Sequence, residues 1–227
     1  MKLSIIIPVY NEEKTIKELV ARVRAAPLQK IKKEIIIIND GSTDSTPQQL
    51  TTVKGCKIIH HGTNQGKGAA FRTGLKYATG DLILIQDADL EYDPHDYSTL
   101  IIPFLNKETR VVYGSRVLNK KNKHGYLSFT IGGILMTKLT NLLYQTKLTD
   151  IATGYKVFRS STLNNLSLTK NGFEIEAEIT AKLAKNNIPI AEVPIRYQPR
   201  SFQDGKKIQV YDGFKYFLTI IHSYFFP

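Results

Sequence analysis

Leu82-Ile83-Leu84-Ile85-Gln86-Asp87-Ala88-Asp89-Leu90-Glu91-Tyr92-Asp93-Pro94 opens on four consecutive apolar residues and closes on a cluster of acids. Bounded by Gly80-Asp81 before and Pro94 after, the apolar run reads as a buried strand. Asp87 and Asp89 follow one residue apart at its C-terminal end, where open α/β sheets bind their ligands. Carboxylate oxygens are hard ligands that suit Mg²⁺ or Mn²⁺, and such a cation can in turn hold a diphosphate. A D-x-D pair alone is weak evidence, because acids near turns also serve as caps. The segments around it decide the reading.

Upstream, residues 3–9 read as a first strand, 34–38 as a second and 57–60 as a third; 110–113 follow as a fifth. Between them, residues 12–25 read as a helix with Ile16, Leu19, Val20 and Val23 on one face, and 68–77 as another that stops near Gly80. Asp44 or Ser45 can cap a further helix with Pro47 in its first turn. The second strand is almost uniformly β-branched, as a parallel strand covered on both faces would be. This alternation predicts an α/β fold: an open, mostly parallel sheet with right-handed crossovers, in one domain over residues 1–227. Lys2 before Ile5-Ile6-Ile7 resembles a leader peptide, but Pro8 interrupts the short run and Asn11-Glu12-Glu13 follow, so the segment is read as the first strand.

Hydrophobic content of 42% and charged content of 22% are ordinary for a globular chain. The single cysteine, Cys56, excludes an internal disulfide and a cysteine-built zinc site, and fits a reducing compartment. His60 and His61 are neighbours near a strand end, so their side chains should diverge rather than share a metal. With 31 Lys and Arg against 20 Asp and Glu, the net charge is +11, which suggests an anionic partner: nucleic acid, anionic lipid or a phosphorylated substrate. From Arg116 to Thr149 the chain carries Arg116, Lys120, Lys121, Lys123, Lys138 and Lys147 and no acid.

Two later segments have a helical pattern. Residues 125–145 place Leu127, Ile131, Leu135, Leu139, Leu142 and Leu143 at mostly fourfold spacing, with Lys138 near the middle. A spanning helix needs about 20 predominantly apolar residues, so a helix lying in a membrane interface fits better; a core-facing amphipathic helix is the alternative. Residues 210–226 carry the stripe Val210, Phe214, Phe217, Leu218 and Ile221, flanked by Tyr211, Tyr216, Tyr224, Phe225 and Phe226. Such aromatics suit the headgroup zone, or a helix docked on its own domain.

The strand ends carry further motifs. In Ser4-Ile5-Ile6-Ile7-Pro8-Val9-Tyr10-Asn11-Glu12, Pro8 removes a backbone donor, Tyr10 can stack on a base and Glu12 can accept from a base or ribose. In Ile38-Asn39-Asp40-Gly41-Ser42, Asp40 can take hydrogen bonds from a nucleoside or simply form an Asp-Gly turn. Gly62-Thr63-Asn64-Gln65-Gly66-Lys67-Gly68 is not a Walker loop, since the spacing is one residue short and Gly68 stands where Ser or Thr should bind magnesium. A glycine-rich turn entering a helix can still bring backbone N–H groups to an anion.

Together these segments resemble the family 2 glycosyltransferases of the GT-A fold, a Rossmann-like sheet flanked by helices. The resemblance runs along the whole chain through Pro8-Val9-Tyr10-Asn11-Glu12, Asn39-Asp40-Gly41-Ser42, Asn64-Gln65-Gly66-Lys67-Gly68, the segment from Gln86 to Pro94, and Gly114-Ser115-Arg116. It is most similar to the dolichol-phosphate mannosyltransferases and bacterial polyprenyl-phosphate hexosyltransferases. Asp150-Ile151-Ala152-Thr153-Gly154-Tyr155-Lys156-Val157-Phe158-Arg159, Gly172-Phe173-Glu174, Pro199-Arg200-Ser201-Phe202 and Gly205-Lys206-Lys207-Ile208 carry that likeness. The resemblance implies that Pro8, Tyr10, Glu12, Ile38 and Asp40 hold the nucleoside. Asp87 and Asp89 serve a Mg²⁺ or Mn²⁺ ion and the diphosphate, Ala88 lines the site, and Glu91 joins the metal set where relatives often carry Gln. Arg200 and Lys206 cover the donor diphosphate, and Arg116 meets an acceptor or donor phosphate. Some relatives continue into transmembrane helices. This sequence ends at Pro227, so anchoring is expected from the two amphipathic segments, a membrane partner subunit or both, at the cytoplasmic face of a membrane.

The implied reaction moves a hexose, mannose from GDP-mannose or glucose from UDP-glucose, onto polyprenyl or dolichyl phosphate with inversion. A phosphate monoester with a second pKa of about 6 is already ionised at neutral pH and needs no general base. Two rivals stay open. Transfer to a saccharide hydroxyl would require a base, for which Asp150 and Glu174 are candidates. A non-catalytic basic binder of membrane or nucleic acid is suggested by charge alone. Asp87 and Asp89 would repel a phosphate backbone, so nucleic acid is not an expected partner.

Overall fold

Lys2–Val9 (β1), Lys32–Asn39 (β2), Lys57–His60 (β3), Leu82–Ile85 (β4), Val111–Ser115 (β5), Lys156–Arg159 (β6) and Ile190–Pro194 (β7) form one seven-stranded sheet in the order β3-β2-β1-β4-β6-β5-β7. The computed structural model describes residues 1–227 apart from Gln29, 123–125, Phe202, Asp204 and Pro227, and apart from the side chains of Leu127 and Val210. Of the residues that the sequence reading used, Lys123, Gly125 and Phe202 and the side chains of Leu127 and Val210 lie outside that description.

β1 pairs in parallel with both β2 and β4, which sets Ile6 beside Ile36 and Ile85. β3 continues the parallel order, and β7 runs parallel to β5. Only β6 is reversed, antiparallel to β4 and β5. The predicted open, mostly parallel sheet is therefore the observed one. The reversal of β6 matters for the site, because it brings the residues just before Lys156 back to the C-terminal end of β4.

The helices are Ile16–Ala25 (α1), Thr46–Thr51 (α2), Lys67–Leu75 (α3), Tyr97–Ile101 (α4), Leu127–Tyr144 (α5), Ser160–Asn164 (α6), Ile175–Lys185 (α7) and Val210–Phe225 (α8). Side chains alternate across the strands, so each face builds its own core. Ile5, Ile7, Ile37 and Leu84 pack with Leu19 and Val23 of α1 and Leu100 of α4. Ile6, Ile83, Ile85 and Phe158 pack on the other face with Phe71 of α3 and with Ile175, Ile179 and Leu183 of α7. α1 buries the face expected of it, but starts at Ile16 rather than at residue 12. Asn11 takes φ of 48°, and the turn that follows closes through Thr15 N and Ile16 N on the Glu12 carbonyl. Asp44 supplies the carboxylate at the start of α2, accepting from Thr46 N at 2.9 Å.

α5 and α8 invert the usual pattern. Their polar Thr137, Thr140, Thr219 and Ser223 are buried, while Ile131, Ile134, Leu135, Leu142, Phe214, Phe217, Leu218 and Phe225 are exposed. Tyr216 and Ile220 of α8 pack on Leu148, Ile151 and Ala177, with Met136 and Leu139 of α5 beside them. The two helices thus dock on the domain by one side and keep an apolar face outward. The stripe of Phe214, Phe217 and Leu218 is on the outward side, so it is not the docking face. Among the described residues no helix is long and apolar enough to cross a membrane.

Candidate active site

β4 delivers its acids onto a buried aromatic platform. Gln86, fully buried, accepts from Tyr97 Oη at 2.6 Å and Tyr155 Oη at 2.7 Å, and its Nε2 donates to the Asp87 carbonyl. Tyr92 stacks on Tyr155 with ring centres 4.7 Å apart, and its hydroxyl accepts from Gly154 N at 2.8 Å. The backbone of Asp87 is therefore fixed from below. Its carboxylate is fixed from the sides. Oδ1 pairs with Lys67 Nζ at 2.6 Å, and Oδ2 lies so near Gly154 that a Cβ there would stand 2.1 Å from it. Gly154 is required by this close approach, a need that the sequence motif Thr153-Gly154-Tyr155 did not disclose.

Asp89 is less well neutralised. Its Oδ1 accepts from Glu91 N at 3.1 Å, and Arg200 is 3.7 Å from Oδ2. Burial and the neighbouring charges of Asp87 and Glu91 push its pKa up to about 7, with Arg200 opposing them. Leu90, between the two acids, sits at φ of 62°, a left-handed conformation that side chains other than Gly rarely take. A cleft of about 280 Å³ opens beside Asp89, lined by Glu18, Arg22, Leu90, Pro199 and Arg200. Ala88 is buried at the same end of the sheet.

A basic arm after β7 lies across these acids. Glu91 accepts from Arg200 N at 2.9 Å and Lys206 Nζ at 3.2 Å on Oε1, and from Tyr197 Oη at 2.7 Å on Oε2. The oxygens expected to join a metal set thus hold the arm in place. Arg200 continues to Glu12 at 2.9 Å, and Lys207 Nζ reaches the same Oε1 at 2.6 Å. Burial raises the Glu12 pKa, but the hydrogen bonds from Arg200 and Lys207 outweigh it and hold the carboxyl below its ordinary value. Lys207 also lies over the Tyr10 ring at 5.8 Å. Arg200 Nε is buried and has no hydrogen-bond partner among the described residues.

Other expected nucleoside contacts are placed differently. Pro8 pairs with Ile38 across β1 and β2 at this end of the sheet. The Ile38 side chain is fully buried with Ile36 and Ala70, so only its backbone can face a ligand. Asp40 is buried too, and its carboxylate accepts from His61 Nδ1 at 2.6 Å, Gln65 N at 3.0 Å and Gly66 N at 2.7 Å. These bonds anchor the glycine-rich loop. At the helix end of that loop, Gly68 N and Ala69 N donate to the Asn171 carbonyl at 2.6 and 3.1 Å. Gly66 and Gly68 are needed there because a Cβ on either would collide with the 170–171 backbone. His60 and His61 diverge as expected, to Asn39 and Asp40.

Arg116 is held bidentate by Asp150, Nε to Oδ2 and Nη2 to Oδ1, both at 2.7 Å, and lies 5.1 Å from the Tyr197 ring centre. Burial lowers its pKa but the Asp150 charge raises it further, so the cation is permanent. Asp150 is itself placed by Glu192, which accepts from its N–H at 3.0 Å. Among the described residues no group of three or more His, Cys, Asp or Glu side chains is arranged as a closed metal site.

The model of glycosyl transferase family 2 matches residues 4–167. This chain belongs to glycosyl transferase family 2. It is therefore a glycosyltransferase. It is 32% identical over 241 residues to a UDP-N-acetylglucosamine–dolichyl-phosphate N-acetylglucosaminyltransferase from Methanococcus voltae, covering 96% of this chain and 94% of that one. It is 30% identical over 217 residues to a dolichol-phosphate mannosyltransferase from Pyrococcus furiosus, covering 91% of this chain but 59% of that longer protein. The glucosyl-3-phosphoglycerate synthase of Mycobacterium tuberculosis, crystallised with Mn²⁺, UDP and product, superposes with a TM-score of 0.77 over all of this chain and 81% of its own, at 18% identity. That last likeness shows the GT-A fold.

Against the family's motifs, the structure adds residues that the strand-end reading left out. Lys67, inside Asn64-Gln65-Gly66-Lys67-Gly68, reaches Asp87 and also lies 3.0 Å from Glu176 Oε1. Glu176 pairs in turn with the fully buried Lys156. Burial lowers the Lys67 pKa, but Asp87 and Glu176 raise it more, so this ammonium stays charged.

Proposed function

We propose that this family 2 glycosyltransferase moves a hexose from a nucleotide sugar onto a polyprenyl or dolichyl phosphate at a membrane surface, with a divalent cation on Asp89 and Asp87. The observation that carries this reading is the arm of Arg200, Lys206 and Lys207 held over Glu12, Asp89 and Glu91, with Arg200 Nε buried and unpartnered. A phosphate oxygen from the donor would satisfy that N–H, and an arginine fork suits it.

The acids fit Mg²⁺ or Mn²⁺. Asp89 is crowded by two other carboxylates, and a cation would relieve the repulsion that raises its pKa. Mg²⁺ commonly takes one or two protein carboxylates and completes its shell with water and substrate phosphates, so no closed cage is required. When bound, the ion supplies positive charge to the departing nucleoside diphosphate. Arg200 and Lys206 supply more from the protein side, already ordered by Glu12 and Glu91. Tyr10 and Glu12 stand at the end of β1 to receive the nucleoside. Arg116, oriented by Asp150, receives the acceptor phosphate. An oxygen of that phosphate attacks C1 from the face opposite the leaving group, forming the C1–O bond as the bond to the diphosphate breaks and inverting the carbon. The acceptor is already an anion, so no side chain has to remove a proton.

Two relatives support the acceptor. One is named for transfer of N-acetylglucosamine and the other for mannose, while both are named for dolichyl phosphate. The sugar varies between them and the lipid phosphate does not. The outward apolar faces of α5 and α8 supply the surface that such an acceptor demands, with aromatics Tyr211, Phe214, Phe217 and Phe225 suited to the headgroup zone.

Transfer to a saccharide hydroxyl is the second reading, and one observation favours it. Glu174 Oε2 is buried without a hydrogen-bond partner, as a base awaiting a substrate would be. Asp150, the other candidate base, is committed to Arg116. The deciding experiment incubates the protein with Mg²⁺ or Mn²⁺, polyprenyl phosphate and GDP-mannose, UDP-glucose or UDP-N-acetylglucosamine in parallel, and follows the lipid phase by mass spectrometry. A cation-dependent hexosyl lipid phosphate is expected. Consumption of a donor with free saccharides but no lipid product would favour the second reading.

A further inference from the structure

Behind Asp87, four charges alternate in a row: Asp87, Lys67, Glu176 and Lys156. Lys67 Nζ stands between Asp87 Oδ1 at 2.6 Å and Glu176 Oε1 at 3.0 Å. Glu176 Oε2 is bonded to Lys156 Nζ, which also donates to the carbonyls of Ile151 and Thr153. Lys156 has no exposed surface and the Glu176 side chain has 6%. Ion pairs this deep are a poor way to stabilise a fold, because apolar residues of the same volume do as well or better. Their arrangement suggests another use. The row ends on the one carboxylate of the D-x-D pair whose second oxygen is already confined by Gly154.

We propose that Lys67 is a positioning residue that fixes the Asp87 carboxylate for the donor, and that Glu176, anchored by Lys156, fixes Lys67. The inference rests on the transferase reading above. Three elements meet in it. α3 contributes Lys67 at its first residue, α7 contributes Glu176 in its first turn, and β6 contributes Lys156 at its start. α3 is tied to the loop that leads into α7 by the backbone bonds of Gly68 and Ala69 to Asn171 and by Arg72 donating to Asn171 Oδ1 at 2.5 Å. The glycine-rich loop, tied to Asn171 at Gly68 and Ala69, thus places Lys67. The Lys67 ammonium lies within ion-pair distance of both Asp87 and Glu176. Its side chain keeps 12% exposure, so the array ends at the site rather than inside the core.

The test is a double-mutant cycle on Lys67→Met and Glu176→Gln, read in two ways. Calorimetry measures the affinity for UDP and for GDP, each with Mn²⁺. The parallel donor assay measures kcat/KM with whichever donor the wild type uses. Positioning partners one step behind a site typically cost 10–100-fold when removed. Lys67→Met should lower kcat/KM about 100-fold and Glu176→Gln about 10-fold, with weaker nucleotide binding in both. The double variant should be no worse than Lys67→Met, because residues acting in series are not additive. A merely structural array would lower Tm yet leave nucleotide affinity and kcat/KM within threefold of the wild type, and would overturn the proposal. So would single effects that multiply in the double variant. If Lys67→Met does not fold, the nearly isosteric Glu176→Gln decides: unchanged affinity and kcat/KM refute the array. A wild type that turns over no donor refutes the transferase reading instead, and the calorimetric cycle then judges the array by itself.

Discussion

At the C-terminal ends of β1 and β4, charged groups are withdrawn from water: Glu12, Glu91, Glu176 and Lys156 are all buried. On α5 and α8 the reverse holds, with Leu135, Leu142, Phe214 and Phe225 exposed while Thr137, Thr140 and Thr219 are buried. Each region violates the ordinary sorting of polar and apolar groups, in opposite senses. The first violation is relieved by pairing, since each of those charges meets at least one of opposite sign. The second is not relieved by anything among the described residues. The contrast separates two kinds of unfinished surface. In one the geometry is set by ion pairs, as the proposed donor site requires; the other leaves apolar area outward, as the proposed membrane contact requires.

The largest effect should come from the charged region. Asp89→Asn is expected to lower transfer about 1,000-fold, in the range for loss of a preorganised charge contact. Its Tm should not fall, because Asp89 is held in a repulsive setting that the amide relieves. A variant that lost activity and stability together would make Asp89 a structural residue and blur the contrast. Arg116→Met should lower kcat/KM for the lipid phosphate about 100-fold while leaving nucleotide affinity near the wild-type value. It should also destabilise the fold by about 3 kcal/mol, because Asp150 keeps a buried charge without its partner. Denaturant unfolding and acceptor-dependent kinetics separate the two effects.

The apolar region should respond in the opposite manner. Phe214→Ser, Phe217→Ser and Leu218→Ser together should weaken binding to anionic lipid vesicles about tenfold or more. Tm should hardly change, since exposed positions contribute within about 0.5 kcal/mol each, and nucleotide affinity should be unaffected. Loss of Tm instead would mean that these side chains belong to the core. The smallest effect lies away from both regions. Burial raises the Glu34 pKa, but hydrogen bonds from Lys2, Ser4 and Thr79 hold it down to about 2. Its folded value is below its unfolded one, so its contribution is complete above about pH 4.5 and disappears as pH falls toward 2. Glu34→Gln should flatten the fall of Tm across that window by a few degrees, leaving the neutral-pH activity intact.

The sheet was legible because its apolar runs are long and regular: Ile5-Ile6-Ile7, Ile35-Ile36-Ile37-Ile38 and Leu82-Ile83-Leu84-Ile85. β6 was not, because Lys156-Val157-Phe158-Arg159 has no alternation and buries its lysine. α7 was hidden for a related reason: Glu176, Glu178 and Thr180 are buried, so the helix lacks a polar face. Arg200 and Lys206 came only with the resemblance to the family, whereas the D-x-D acids could be read from charge and position at a strand end. The fate of Asp40 could not, because whether a carboxylate faces a ligand or its own loop depends on backbone N–H groups that sequence does not show. Lys67 was visible only as part of a glycine-rich loop, since its partners Asp87 and Glu176 come from distant segments. For α5 and α8, spacing identified the helices but not which side faces the protein.

The most direct test compares polyprenyl phosphate with the corresponding polyprenol as acceptors in the same vesicles, with the donor that the wild type uses. The account predicts cation-dependent transfer to the phosphate alone, because the attacking oxygen must already be ionised and Arg116 must have an anion to hold. Equal transfer to the polyprenol would contradict it, and would turn the reading toward a hydroxyl acceptor with Glu174 as its base.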